Sequence, residues 1–192
     1  MSGAFRLIAS ELLSDSWGKL TRYRFALRLR DGRWDEQTRE VYDRGNGTAC
    51  LLHDPESDTV LLTRQFRLPM QVSGLDPYLI EAPAGLLDGA EPEERMRAEL
   101  MEETGYDVGT LTHVTDLIMS PGSVAEYLAC YTGTYRREVQ AGAGGGAMGE
   151  GEDIEVLHVP LPEALAMVRD GRIRDAKTVF LIQHLALAQG ER

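Results

Sequence analysis

The sequence predicts an α+β fold, with paired strands through the first third, one charged helix in the middle, further strands after it and two helices at the end. The first observation is the alternation in "LTRYRFALRLR" (20–30). It places Arg22, Arg24, Arg28 and Arg30 on one face and Tyr23, Phe25, Leu27 and Leu29 on the other. The second is a helical segment bounded by Pro92 and Gly105, residues suited to a first turn and a C-terminal stop. The third is the closing pair "LPEALAMVRDG", with Pro162 near its start, and "DAKTVFLIQHLALAQG", with an apolar stripe.

Asp31-Gly32 supplies a hairpin turn, and "REVYD" (39–43) reads as the return strand. Asn46-Gly47 turns the chain into "TACLLHD" (48–54). After the polar "PESD" comes "TVLLTRQFR" (59–67), and this hairpin is apolar enough to be central. A short strand is expected at 78–82, the helix at 92–104, and strands within 108–118 and 126–134, separated by the Pro-Gly turn of "MSPGSVAE". Residues 141–153, "AGAGGGAMGEGED", predict a mobile glycine-rich loop ending in acid, followed by the strand "IEVLHVP". No repeat with a period of 20 to 50 residues is visible.

With 192 residues, 43% of them hydrophobic, the chain can bury a core without disulfides or a structural metal. Acidic residues outnumber basic ones by 31 to 20, a net charge of -11, which disfavours nucleic acid and anionic membranes as partners. A small phosphorylated ligand remains admissible, because a metal ion or a few local arginines can override the global field. Cys50 and Cys130 sit in apolar surroundings, match no zinc or disulfide spacing, and read as core thiols. The N-terminus is too quickly interrupted by charge for a signal peptide, and no apolar run approaches the ~20 residues of a membrane span. A cytoplasmic protein is the expectation.

On the 92–104 helix, Glu99, Glu102 and Glu103 share a face and repel one another. Their natural partner is either a row of cations, with Arg95 and Arg97 at hand, or a divalent ion such as Mg2+ or Mn2+. A solvated helix face is the plainer reading, and Glu93 and Glu94 in the first turn fit it. Three features oppose it: the Ala-Gly turn before the helix, the Glu-Glu pair at its electrostatically unfavourable C-terminal end, and a second acidic cluster after the glycine-rich loop.

This stretch resembles the signature of the Nudix hydrolase superfamily, Gly-x5-Glu-x7-Arg-Glu-U-x-Glu-Glu-x-Gly-U, where U is a bulky aliphatic or aromatic residue. The match is "GLLDGAE" followed by "AELMEETGY". Two departures stand out: the spacing between Glu91 and Glu99 is one residue short, and Ala98 replaces the arginine, with Arg97 about 100° away around the helix. The family's arginine pairs with the first signature glutamate, so the role of Glu91 stays open. The resemblance implies a Nudix fold, a mixed β-sheet sandwiched between helices. Residues 1–45 would be an N-terminal antiparallel strand extension involved in dimerisation, and 46–192 the hydrolase domain.

The stretches "REVYDRGNG", "RQFR", "MSPGSVAE", "GEDIEV" and "IRDAKT", with the shortened box, together resemble the bacterial GDP-mannose pyrophosphatases, close relatives of the ADP-ribose pyrophosphatases. That resemblance implies Mg2+-dependent cleavage of GDP-mannose to GMP and mannose 1-phosphate. ADP-ribose cleavage to AMP and ribose 5-phosphate is the alternative, and a non-catalytic nucleotide-sugar sensor a remoter one, since the metal glutamates are retained. Carried over by position, the Ala84 carbonyl, Glu99 and Glu103 hold Mg2+ (or Mn2+), Glu102 adds a ligand and Glu152 completes the set.

Glu152 is also the candidate general base beside Glu103 as a catalytic residue. Glu150, Asp153 and Glu155 are its rivals, and a solvated acidic turn is the competing reading for all four. Trp17, Arg39, Glu40, Arg67, Gly85, Glu126 and Lys177 are implied substrate contacts, and Arg64 could share the grip of Arg67 on phosphate. A core or interface role competes for Trp17, as do surface roles for Arg39, Glu126 and Lys177. In these relatives the N-terminal strands are exchanged between subunits, which implies a homodimer in which Trp17 and Arg39 serve the neighbour's active site. Acyl or thioester hydrolysis is excluded by the lack of a nucleophile motif and by scattered histidines at 53, 113, 158 and 184.

Overall fold

The computed structural model describes residues 3–146, 151 and 153–190. Its first three strands, β1 (Phe5–Asp15), β2 (Lys19–Arg28) and β3 (Trp34–Asp43), form an antiparallel sheet in that order. The predicted hairpin closes through Leu29 N–H donating to the Arg33 carbonyl at 2.8 Å, with Gly32 at φ 87°. The sequence pattern does not reveal β1. Its register against β2 shifts between Leu7 and Ala9 and again between Leu12 and Ser14, so its residues never hold a steady two-residue alternation. Ile118–Tyr127 belongs to the same compact unit as the residues up to Asn46. Tyr42 N–H donates to the Ser123 carbonyl and Ala125 N–H to the Tyr42 carbonyl, each at 2.9 Å.

The second unit comprises Gly47–Leu117 and the residues from Leu128 onward. Its strands are β4 (Gly47–Asp54), β5 (Thr59–Phe66), β6 (Tyr78–Glu81), β7 (Ala84–Leu86), β8 (Leu111–Leu117), β9 (Leu128–Thr134) and β10 (Glu155–Pro160). The sheet runs β10-β5-β4-β9-β8, with β6 added to β5 and β7 to β4. It is mixed because β4 runs parallel to β9 while the other pairs are antiparallel.

Ala49, Cys50, Leu51 and Leu52 are all fully buried, so both faces of β4 are covered. Helix α2 (Pro92–Thr104) packs on β4 and β7, α4 (Ala176–Gly190) on β4 and β9, and α3 (Leu161–Asp170) on β10, β5 and α4. A five-residue helix, α1 (Leu68–Val72), follows β5. Leu51, Leu62, Met96, Leu100, Leu181 and Ile182 are fully buried in this core, each worth about 1.5–3 kcal/mol of transfer free energy.

Cys50 and Cys130 are buried free thiols, and burial pushes Cys130 up to about 11 and Cys50 further in the same direction. Among the described residues no helix is long and apolar enough to cross a membrane. One expectation is corrected. The glycine-rich stretch does not hang free at its start, because residues 140–142, 145 and 146 all donate hydrogen bonds to the C-terminal end of α2.

Candidate active site

The site is built where β6, β7 and α2 meet. Pro92 starts α2, and Glu91 precedes it as an exposed N-cap whose carbonyl accepts from Arg95 N–H at 3.0 Å. Gly105 ends the helix in the left-handed conformation at φ 74°. Four residues apart, Glu99 and Glu103 face β7 and are almost wholly buried. Ala84 N–H donates to Glu103 Oε2 at 3.3 Å. The Glu99 carboxylate lies over Gly85 so closely that a Cβ there would stand 1.8 Å from Oε1. Ala84, Gly85, Glu99 and Glu103 are thereby gathered at one place.

Glu102 points to the exposed side of the helix, with Arg95 Nη1 3.8 Å away. Arg95 also lies 2.5 Å from Glu99 Oε1 and donates from Nε to the Leu86 carbonyl at 3.1 Å. Arg97 turns away, pairing with Glu93 at 2.7 Å and donating to the carbonyls of Val108 and Gly109. Of the two predicted counter-cations only Arg95 serves the carboxylate face. It stands one turn before Ala98, the position where the signature has its arginine.

Among the described residues no three His, Cys, Asp or Glu side chains are grouped closely enough to hold an ion by themselves. The donor set is nevertheless of the right kind: two buried carboxylates are hard oxygen ligands, and the lack of a side chain at Gly85 leaves the space that the Glu99 carboxylate takes. Glu152 lies outside the described residues, as does its rival Glu150.

Arg67 and Lys177 are joined by a residue the sequence reading passed over. Glu81, at the end of β6 and 4% exposed, accepts from Arg67 Nε at 2.7 Å and from Lys177 Nζ at 2.9 Å. Lys177 Nζ also lies 3.0 Å from Asp175 Oδ2. Burial alone would lower the Lys177 pKa, but Glu81 and Asp175 outweigh it and hold the ammonium above the ordinary lysine value. Asp175 accepts from Thr178 Oγ1 at 2.6 Å, and that oxygen accepts from Ala82 N–H at 2.7 Å. The start of α4 is thus tied to the strand segment that leads into Ala84. No local pattern could announce Glu81, since its partners stand 14 and 96 positions away.

Trp17, Arg39, Glu40 and Glu126 lie in the other compact unit. Trp17 is 77% exposed, with the Arg44 guanidinium 4.8 Å over its ring. Arg39 donates to the neighbouring Thr38 carbonyl, Glu40 pairs with Arg22 at 2.9 Å, and Glu126 is half-buried. Arg64 stacks over Tyr78 at 4.9 Å and pairs with Glu155 at 3.3 Å.

The family model described as NUDIX domain matches residues 43–182. The chain belongs to the Nudix family. A second model, described as GDP-mannose pyrophosphatase NudK N-terminal domain, matches residues 5–42 of this Nudix protein. A GDP-mannose pyrophosphatase of Pectobacterium atrosepticum is 48% identical over 185 residues, covering 96% of this chain and 95% of its own. One from Salmonella arizonae is 46% identical over 189 residues, 98% of each chain. A crystal structure of an ADP compounds hydrolase aligns with a TM-score of 0.70 at 19% identity, over 98% of this chain and 97% of that one, and shares the Nudix fold. Within the Nudix signature of this chain, the two buried glutamates are those that face β7.

Proposed function

We propose that this Nudix protein hydrolyses the diphosphate bond of a nucleotide sugar, GDP-mannose foremost, releasing GMP and mannose 1-phosphate. The observation that carries the reading is the convergence of buried Glu99 and Glu103 on Ala84 and Gly85. The near-full-length likeness to GDP-mannose pyrophosphatases supports the choice of substrate. Mg2+, or Mn2+ in its place, fits the Ala84 carbonyl, Glu99 and Glu103, with Glu102 and Glu152 as further ligands. When bound, such an ion neutralises the diphosphate and favours the approach of a nucleophilic water.

The chain's own residues do the rest. Arg67, held at Nε by Glu81, keeps its other N–H groups for a phosphate oxygen. Lys177, fixed between Glu81 and Asp175, sets positive charge beside them. Glu152 takes the proton of the attacking water, whose oxygen bonds to phosphorus as the bridging P–O bond breaks. Gly85 and Glu126 complete the substrate contacts, and Trp17, Arg39 and Glu40 of a swapped second copy supply the base and phosphate contacts.

Initial rates with Mg2+ on GDP-mannose, ADP-ribose and related nucleotide sugars test the reading. GDP-mannose should be cleaved fastest, and a clear preference for ADP-ribose would overturn it. Glu103→Gln should reduce GMP release at least about a hundredfold, because an ion's stabilisation of charge is worth several kcal/mol, while leaving the circular dichroism spectrum unchanged.

A further inference from the structure

A helix ends with four carbonyls that lack intrahelical partners, and its C-terminus carries partial negative charge. In α2 that end also holds Glu102 and Glu103, so it is the least favourable place on the helix for two carboxylates. Each of its last four carbonyls has a donor. Gly105 N–H donates to Met101 at 3.0 Å, Gly146 N–H to Glu102 at 3.1 Å and Gly145 N–H to Glu103 at 2.8 Å. Gln140 Nε2 donates to Thr104 at 3.0 Å. The next carbonyl, of Gly105, accepts from both Ala141 and Gly142 N–H, and Ile154 N–H ties Gly145 back toward β10 at 3.2 Å.

Three of these four donors, and both at Gly105, come from residues 140–146. The contact requires glycine on both sides. Gly144 has φ 64°, and a Cβ there would lie 2.7 Å from the Thr104 carbonyl carbon and 2.9 Å from the Glu103 oxygen. At Gly105 a Cβ would meet the Gly142 oxygen at 2.3 Å. These neighbours are backbone atoms, which no rotamer change can move aside.

We propose that the strap of residues 140–146 positions the metal-binding carboxylates, with Gly144 as the residue that allows it to seat. Its amide dipoles point their positive ends at the negative end of α2 and so offset the cost of placing Glu102 and Glu103 there. Fixing the last turn also fixes the direction in which Glu103 leaves the helix toward Ala84. The inference rests on the reading of Glu99 and Glu103 as metal ligands. Along the chain, Glu152 follows six residues beyond Gly146.

The test is Mn2+ affinity measured by the electron paramagnetic resonance of free Mn2+, without nucleotide. Gly144→Ala should weaken binding roughly tenfold or more, the usual effect of removing a group that orients a ligand, with helix content retained. Gly109→Ala, whose Cβ would meet nothing within 4 Å, should bind as the wild type does. Unchanged affinity in folded Gly144→Ala overturns the inference alone. Absence of Mn2+ binding by the wild type overturns the ligand assignment and the inference together. Should Gly144→Ala not fold, hydrogen exchange on the metal-free wild type decides: protected Gly145 and Gly146 amides support the strap, and exchange at the rate of an unstructured chain overturns it.

Discussion

Glu81 holds two cations with one carboxylate, and that arrangement explains why Lys177 can be buried while charged. Removing one partner of a buried pair costs about 3–5 kcal/mol when it strands a charge, but Asp175 would still stand 3.0 Å from Lys177 Nζ. Glu81→Ala should therefore lower stability in urea unfolding by less than that range. Adding Lys177→Met should recover part of the loss, because the buried ammonium, left with one carboxylate partner, is then gone; a double variant less stable than Glu81→Ala would contradict the account. At this scale the shared helix face of Glu99 and Glu103 could be read from spacing, whereas Arg67 was singled out by the family resemblance. Glu81, Asp175 and the placement of Arg95 between Glu99 and Glu102 could not, since each depends on which side chain happens to face it.

The helix α2 was legible to its last residue, because Pro92 and Gly105 are local signals that depend only on backbone chemistry. Its C-terminal glycine should resist substitution. Gly105→Ala, with φ 74° and a backbone oxygen 2.3 Å from the new Cβ, should cost roughly 1–3 kcal/mol in thermal unfolding, whereas Gly109→Ala should cost little. Equal stability of the two variants would refute the back-to-back glycine contact. The strand β1 was illegible for the opposite reason: two register shifts erase the alternation on which strand recognition depends. The three-residue β7 is likewise too short to carry a period, and exists as a strand through its pairing to β4.

For the whole molecule, the three-stranded N-terminal sheet leaves Phe5, Leu7, Ile8, Leu12, Trp17 and Trp34 substantially exposed. A group of this size on one small sheet is what the proposed second copy would cover. The wild type should sediment as a dimer, and Leu7→Asp combined with Leu12→Asp should shift it toward monomer; a monomeric wild type would defeat the proposal. Stability should also fall in alkali. Tyr106 and Tyr135, raised by burial, and Lys177, raised by its carboxylates, all hold their protons more tightly when folded. Their contribution is fully present below the ordinary values of 10.0 and 10.5 and is lost as pH rises through the folded values. Urea midpoints should be insensitive to these groups at neutral pH and drop above about pH 10; a flat profile there would refute the shifts.

The sequence alone determined the order of most elements, the ends of α2 and the placing of Glu99 and Glu103 on one face, because backbone chemistry and helical periodicity act over a few residues. Only the tertiary structure decided that Glu99 rests over Gly85, that Glu81 binds Arg67 to Lys177, and that a stretch read as a mobile loop begins as a strap on the carboxylate helix. Those contacts join segments far apart along the chain, and glycine-rich composition, which permits mobility, equally permits the close backbone approach that seats the strap.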